Sequence, residues 1–299
     1  MKEVGETTKK EHGFAHVATG QTVATILGAI FWLILAVVLH PIAYGHLTWL
    51  VSIGTFVSTI CVFGLGKTIA TYYPKEGTDE LLTSSLFLVL MFSIIGGAGT
   101  SLILNYWIEP LLAGLVGLLV IGLSLFSLTF YSELGKRQYK NYMWIWIGVR
   151  TSTLMLPLIF YYIWGLVASI MAGLTISYLV FGTWAFKQAK SGIDLKEVWY
   201  KIEFTLRAWG ADISRVAMNF FDKILIGVLF TNMAVLGIYQ FGFRIFVLLG
   251  VLPNALFFYL LPEKSAQQKT EKIETFGILT SIGLASLILF LAPFIASHV

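Results

Sequence analysis

The sequence predicts an all-α polytopic membrane protein of about nine transmembrane helices, and three observations carry that prediction. The 299 residues are 57% hydrophobic and only 12% charged, with a mean hydropathy of +0.82. Soluble domains carry about 25% charged residues, and intrinsic disorder requires low hydrophobicity with high charge, so both classes are excluded. The apolar residues fall into runs of about 20, the length that crosses the hydrocarbon of a bilayer. The basic residues fall almost entirely on alternate connectors between those runs.

The expected spans lie at 17–39, 47–70, 82–104, 110–131, 142–162, 165–186, 207–230, 235–260 and 275–296, each bounded by charge or by Pro and Gly. The first follows a polar stretch, Met1 to Glu11. It is too long for a signal-peptide core and lacks a small-residue cleavage site, so it is expected to stay as a span. The fifth and sixth are separated only by a tight turn at Tyr161-Tyr162-Ile163-Trp164-Gly165. Between the sixth and seventh spans runs the longest connector, where Leu195, Val198, Trp199 and Ile202 recur at helical spacing, with Lys196, Glu197, Lys201 and Glu203 off that face. This predicts a short helix lying on the inner leaflet. The expected organisation is therefore a six-helix lobe over 1–190, an interfacial cytoplasmic linker over 191–206 and a partial second lobe over 207–299.

Orientation follows from charge. With a cytoplasmic N-terminus, the inner segments hold 16 of the 20 Lys and Arg: Lys2, Lys9, Lys10, Lys67, Lys75, Lys136, Arg137, Lys140, Lys187, Lys190, Lys196, Lys201, Arg207, Lys264, Lys269 and Lys272. The outer connectors hold none, so the positive-inside rule places the N-terminus in the cytoplasm of a multi-pass cell-membrane protein. The same rule explains the basic pI without a nucleic-acid partner. Trp49, Trp107 and Trp164 are expected at the outer interface, and Trp144, Trp184, Trp199 and Trp209 at the inner one. Pro41-Ile42-Ala43-Tyr44-Gly45 opens the second span and Leu236-Gly237-Ile238-Tyr239 the eighth, a weak repeat of the kind parallel lobes show.

Most catalytic chemistry is unsupported. His40 and His46 have no carboxylate or Cys partner near them, no Walker A sequence is present, and paired carboxylates of a glycosidase type are absent. Cys61 stands alone, excluding an intramolecular disulfide. Gly96, Gly97 and Gly99 sit in mid-span and read as helix-packing positions. No enzyme activity and no cofactor are expected.

The informative feature is charge inside spans, which is costly and normally faces a bundle interior or a wet cavity. The seventh span carries Asp212, Arg215, Asn219, Asp222 and Lys223. Steps of three, four and three put the first four on one face, with Lys223 at its border. At 1.5 Å per residue, Arg215 lies about 12 Å in from Arg207 and Asp222 about 22 Å in. The eighth span adds Gln240 and Arg244, and Arg150 lies about 12 Å into the fifth. The functional reading is a cationic, water-filled cavity in which Arg150, Arg215, Asn219, Lys223, Gln240 and Arg244 bind an anionic headgroup. Asp212 and Asp222 then couple transport to an ion. The structural reading pairs Arg215 with Asp222, and Arg150 or Arg244 with Asp212, as helix fasteners.

Several segments resemble the polysaccharide flippases. Ala36-Val37-Val38-Leu39-His40-Pro41-Ile42-Ala43-Tyr44-Gly45 resembles the end of their first helix, and Phe63-Gly64-Leu65-Gly66 to Tyr72-Tyr73-Pro74 their second. Phe221-Asp222-Lys223-Ile224-Leu225-Ile226-Gly227 resembles their seventh helix. Leu236-Gly237-Ile238-Tyr239, Arg244 and Leu252-Pro253 to Leu261-Pro262 resemble their eighth. The resemblance implies an oligosaccharide flippase of the multidrug/oligosaccharidyl-lipid/polysaccharide superfamily. Such a protein carries a polyprenyl-(pyro)phosphate-linked glycan between leaflets by alternating access between two six-helix lobes, driven by ion gradients or membrane potential. The partners it implies are the lipid-linked glycan and membrane lipids.

The chain departs from that pattern at Val37, where the family often has Arg, at His40, where it has Gly, and at Leu206-Arg207-Ala208, where it has Ser-Leu-Pro. It also carries fewer spans than the family's twelve to fourteen, so it reads either as a truncated form or as one part of a split protein whose second polypeptide completes the C-terminal lobe. The alternatives are a cation-coupled multidrug antiporter of the same fold, or a non-transporting remnant or subunit. A membrane-embedded glycan polymerase is disfavoured, since the outer connectors are short and carry no Lys or Arg.

Overall fold

The computed structural model describes residues 2–249, apart from 190 and 231, together with residues 275, 279, 282, 283 and 286. Ten α-helices occupy this region: α1 Lys2–Val38, α2 Pro41–Val62, α3 Leu65–Glu76, α4 Asp79–Leu104, α5 Pro110–Gly135, α6 Tyr139–Trp164, α7 Val167–Gly182, α8 Leu195–Trp199, α9 Ile202–Leu229 and α10 Met233–Leu249. A 3₁₀ turn, Thr183–Lys187, ends α7, and no strand occurs among the described residues.

Among the described residues, six segments are long and apolar enough to cross a membrane; they correspond to the first six expected spans, the second beginning and ending earlier than expected. α9 is the seventh. Its 28 residues would reach about 42 Å, and its internal charges are what make it less apolar. α10 is the described part of the eighth, and the expected ninth span lies outside the described helices. The tight turn expected before the sixth span is a glycine cap. Gly165 adopts φ +67° and donates its N–H to the Tyr161 carbonyl at 2.7 Å.

Two expectations change. The second span is not one helix, because it breaks between Val62 and Leu65, with Phe63 at φ 53° and Gly64 at φ +70°. The linker helix is also shorter than its periodicity suggested. Asp194 caps α8 through the Lys196 N–H at 2.9 Å, Trp199 ends it, and Ile202 belongs to α9. Val198 alone of the four apolar residues is buried, in the cluster that α3 and α4 share, while Leu195 and Trp199 are exposed.

The helices pack in a chain of neighbours: α1 on α6, α6 on α7, α7 on α5, and α5 on α4. α2 runs through the middle, touching α4 and α5 on one side and α9 and α10 on the other. The main core therefore gathers Phe31, Leu35, Leu47, Leu50, Leu119 and Leu236 from both parts of the chain. Close approach depends on small residues, as expected in lipid, where apolar burial gives little drive for helix association. Gly97 meets Gly117 of α5 and Gly96 meets Cys61, whereas Gly99 faces open space. Trp49 is buried between helices, with its indole against Gly227 of α9. The two repeat segments pack on each other. The fifth residue of α2, Gly45, lies on Met233, the first of α10, and the fifth of α10, Gly237, lies on Pro41, the first of α2.

Candidate functional site

The break after α2 shapes one part of the site. Phe63 in the left-handed region costs about 1–2 kcal/mol, and its neighbours hold it there. Its ring packs 4.9 Å from that of Trp209, whose Nε1 donates to the Ile60 carbonyl at 3.2 Å. Gly64 is required by both φ and space, since a Cβ would overlap the Thr205 carbonyl oxygen of α9. Thr68 and Thr205 hydroxyls meet at 2.8 Å. This contact carries Lys67 to α9, where its Nζ lies 2.9 Å from Asp212 Oδ1.

Arg215 reaches the same oxygen at 3.0 Å. Asp212 is the buried member, with its side chain 10% exposed, while that of Arg215 is 65% exposed. Beside this triad, Ser58, Thr59 and Val62 of α2, Ser127 and Tyr131 of α5, and Asp212 and Arg215 line a cavity of about 60 Å³. That is room for about two waters. Two cations, one carboxylate and four hydroxyl groups converge there between the first lobe and α9.

Farther along α9, Asp222 and Lys223 form a second polar group. The Lys223 ammonium, 1% exposed, lies 3.5 Å from the centre of the Phe243 ring and within 6 Å of the Tyr239 and Phe220 rings. It donates to the Asn219 carbonyl at 2.5 Å and to Asp222 at 3.2 Å. The Tyr239 hydroxyl of α10 donates to the other Asp222 oxygen. Gln240 is fully buried. Arg244 belongs to α10 by its backbone, and its side chain lies outside the described residues.

Arg150 stands apart, inside the first six helices. It donates to the Tyr178 hydroxyl at 3.2 Å and lies 5.0 Å over the Trp146 ring. Gln21 and Trp146 both donate to the Tyr142 hydroxyl, at 2.9 and 3.2 Å. Phe130 bridges this aromatic group to Tyr131, which borders the inner cavity.

The structure thus brings Asp212 and Arg215 together, and Asp222 and Lys223 together, but neither Arg215 with Asp222 nor Arg150 with Asp212. The buried stripe of α9 runs through Thr205, Ala208, Asp212, Val216, Lys223 and Gly227. Arg215 and Asn219 lie beside it, and the Asn219 amide donates to its own helix at the Arg215 carbonyl. Lys67 and Tyr131 escaped the sequence reading. By charge pattern Lys67 reads as an inner-loop residue, although the Phe-Gly-Leu-Gly run before it signals a helix break. Tyr131 carries no local signal.

Three solved structures share this architecture. A MOP-superfamily transporter from Pyrococcus furiosus, described as having a binding pocket of reverse polarity, aligns over 94% of this chain and 72% of its own, with TM-score 0.59 and 17% identity. An outward-facing multidrug-resistance MATE-family transporter of the MOP superfamily aligns over 93% and 71%, with TM-score 0.55 and 15% identity. A MATE protein in complex with Br-NRF aligns over 96% and 76%, with TM-score 0.56 and 19% identity. No protein-family model and no curated protein matches the sequence. A six-span bundle joined through a broken second span to α9 and α10, aligned over nearly its whole length with these proteins, gives this chain the fold of the MOP-superfamily transporters.

Proposed function

We propose that this chain moves an anionic lipid-linked oligosaccharide, held through its polyprenyl-(pyro)phosphate, from the cytoplasmic to the outer leaflet of the cell membrane. The observation that supports this most is the inner triad, where Lys67 and Arg215 share one carboxylate beside a hydroxyl-lined cavity. A phosphate oxygen offers both cations what Asp212 offers them now, and Arg is well suited to such bidentate contacts. Asp212 then serves as the internal counter-ion that keeps the empty site neutralised. Arg150, on its aromatic support, adds a further cation toward the sugar-bearing part of the cargo, and Gln240 and Arg244 extend the polar path along α10. Asp222 fastens α9 to α10 through Tyr239. The lipid tail stays in the bilayer throughout, which is why a narrow polar path is sufficient.

A second reading is a multidrug antiporter. The cluster of Phe220, Tyr239 and Phe243 around the Lys223 ammonium supports it, since such rings also accommodate organic cations. Proteoliposomes separate the two readings. The flippase reading expects leaflet transfer of a fluorescent polyprenyl-pyrophosphoryl glycan, reduced about tenfold or more by Lys67→Ala or Arg215→Ala, as loss of a charge-assisted hydrogen bond implies. Uptake of an organic cation, with no glycan transfer and no effect of either substitution, would establish the antiporter instead.

A further inference from the structure

Glu133 stands on the last turn of α5, and Gln188 directly follows the 3₁₀ turn that ends α7. Both are buried, at 2% and 6% exposure. Gln188 Nε2 and Trp184 Nε1 donate to the same carboxyl oxygen, Glu133 Oε1, at 2.5 and 3.0 Å. Glu133 Oε2 and Gln188 Oε1 are also buried, and neither receives a hydrogen bond. An ionised carboxylate is an acceptor at both oxygens, and burying one half-satisfied is strongly unfavourable. A single proton on Oε2, donated to Gln188 Oε1, closes an acid–amide ring with the Gln188 Nε2 bond and removes both orphans together. Among buried acceptors this is the simplest satisfaction available.

The charged groups around the pair do not supply an alternative. Lys136 acts on Glu133 through space, with its ammonium over the Tyr73 ring of α3 at 5.8 Å. Lys187 lies 4.5 Å over the Trp184 ring. From α6 the Asn141 amide also reaches the Glu133 carboxyl and, like Lys136, acts in favour of its charged form, yet no group hydrogen-bonds Oε2. The position also has a consequence. After Gln188 the chain runs to Asp194, which is tied to Ser84 of α4 by two bonds, and then through α8 into α9. The Gln188–Glu133 hydrogen bond therefore ties the residue that opens this connection to the end of α5.

We propose that Glu133 is a proton-binding site of this chain. It carries a proton at neutral pH, shares it with Gln188, and releases it to water when the linker is drawn away, leaving a carboxylate in the field of Lys136. The site is independent of the cargo, so it stands or falls separately from the flippase reading. Infrared difference spectra of the purified full-length chain at pH 7 test it without a substrate. A protonated-carboxyl band, shifted by deuterium, is expected in the native protein and absent in Glu133→Gln. Glu133→Gln should melt like the native protein, because its amide reproduces the ring, and Glu133→Ala should melt lower. Absence of the band at pH 7, or equal losses in Glu133→Gln and Glu133→Ala, overturns the proposal.

Should Glu133→Gln fail to accumulate, Gln188→Ala provides the second route: removing the acceptor of the shared proton must shift the frequency of the protonated-carboxyl band, and an unmoved band overturns the proposal. The linker is read at Ser191→Cys in a Cys61→Ala background. The ratio of its labelling rate to that in Glu133→Gln should rise about tenfold per pH unit below the titration midpoint, following the ionised fraction. A flat ratio overturns the linkage.

Discussion

Replacing Gly45 or Gly237 with alanine tests the contact that joins the two parts of the chain. A Cβ on Gly45 would overlap the Met233 carbonyl oxygen and lie 3.0 Å from its carbon and 3.1 Å from the Gly237 nitrogen. A Cβ on Gly237 would overlap the Pro41 carbonyl oxygen and lie 3.0 Å from its carbon. All of these are backbone atoms, so no rotamer change can relieve the overlap. Non-bonded carbon atoms settle at about 3.5–4.0 Å, so α2 and α10 must separate by roughly 1 Å at this end, a gap that forfeits a quarter to a half of the local dispersion energy. Overpacking of this kind costs about 1–3 kcal/mol, against a gain of at most about 1 kcal/mol from replacing a helical glycine by alanine. The expected net loss is about 1–2 kcal/mol for either substitution. The double variant should cost less than the sum, because the first alanine already opens the gap that the second needs. Thermal denaturation in detergent measures this, with Gly99→Ala and Gly114→Ala as controls, since a Cβ there meets nothing within 4 Å. Gly45→Ala melting together with Gly99→Ala, or strict additivity in the double variant, would refute the argument.

Other predictions concern the site and the linker. Asp212→Asn should destabilise more than Arg215→Gln, because it removes the shared partner of two cations while Arg215 is largely exposed; reversal of that order in thermal melts contradicts the triad. Gly64→Ala forces a left-handed non-glycine residue and a clash with Thr205, so expression and melting should both fall by more than for Gly45→Ala. Burial works against the Lys201 ammonium, but hydrogen bonds and charges from Glu76 and Glu197, each 2.9 Å away, outweigh it and raise its pKa above the ordinary 10.5. Its stabilisation is therefore complete below about pH 10.4 and lost as pH rises through the folded value. The melting difference between native and Lys201→Met should accordingly be flat from about pH 7 to 9 and shrink above that range. Arg215→Ala together with Arg244→Ala should abolish glycan export without loss of membrane insertion, and unchanged export removes the cationic path.

The spans were legible because lipid imposes one rule that acts residue by residue: about 20 apolar side chains in a row, with charge at the ends. That rule located the apolar part of α1, and α4, α5, α6 and α7 closely, and it marked α9 as anomalous by its charges. It could not see the break at Phe63-Gly64 as a junction, because the reason for the break lies in Thr205 and Trp209, some 140 positions away in sequence. The repeat at Gly45 and Gly237 was visible as a pattern, but only packing shows that the two segments meet each other.

The sequence alone determined that this protein is an all-helical membrane protein and which residues place charge at depth, since hydropathy and helical rise depend on local composition. The tertiary structure decided which charges meet. Helical periodicity fixes a residue's angle on its own helix but not the rotation of that helix against its neighbours. That rotation buries Lys223 rather than Arg215, brings Lys67 to Asp212, and leaves Arg150 among aromatic rings in the first lobe. The same physics leaves the Glu133–Gln188 pair invisible in sequence, because two separate helix ends must converge before a single proton has anything to join.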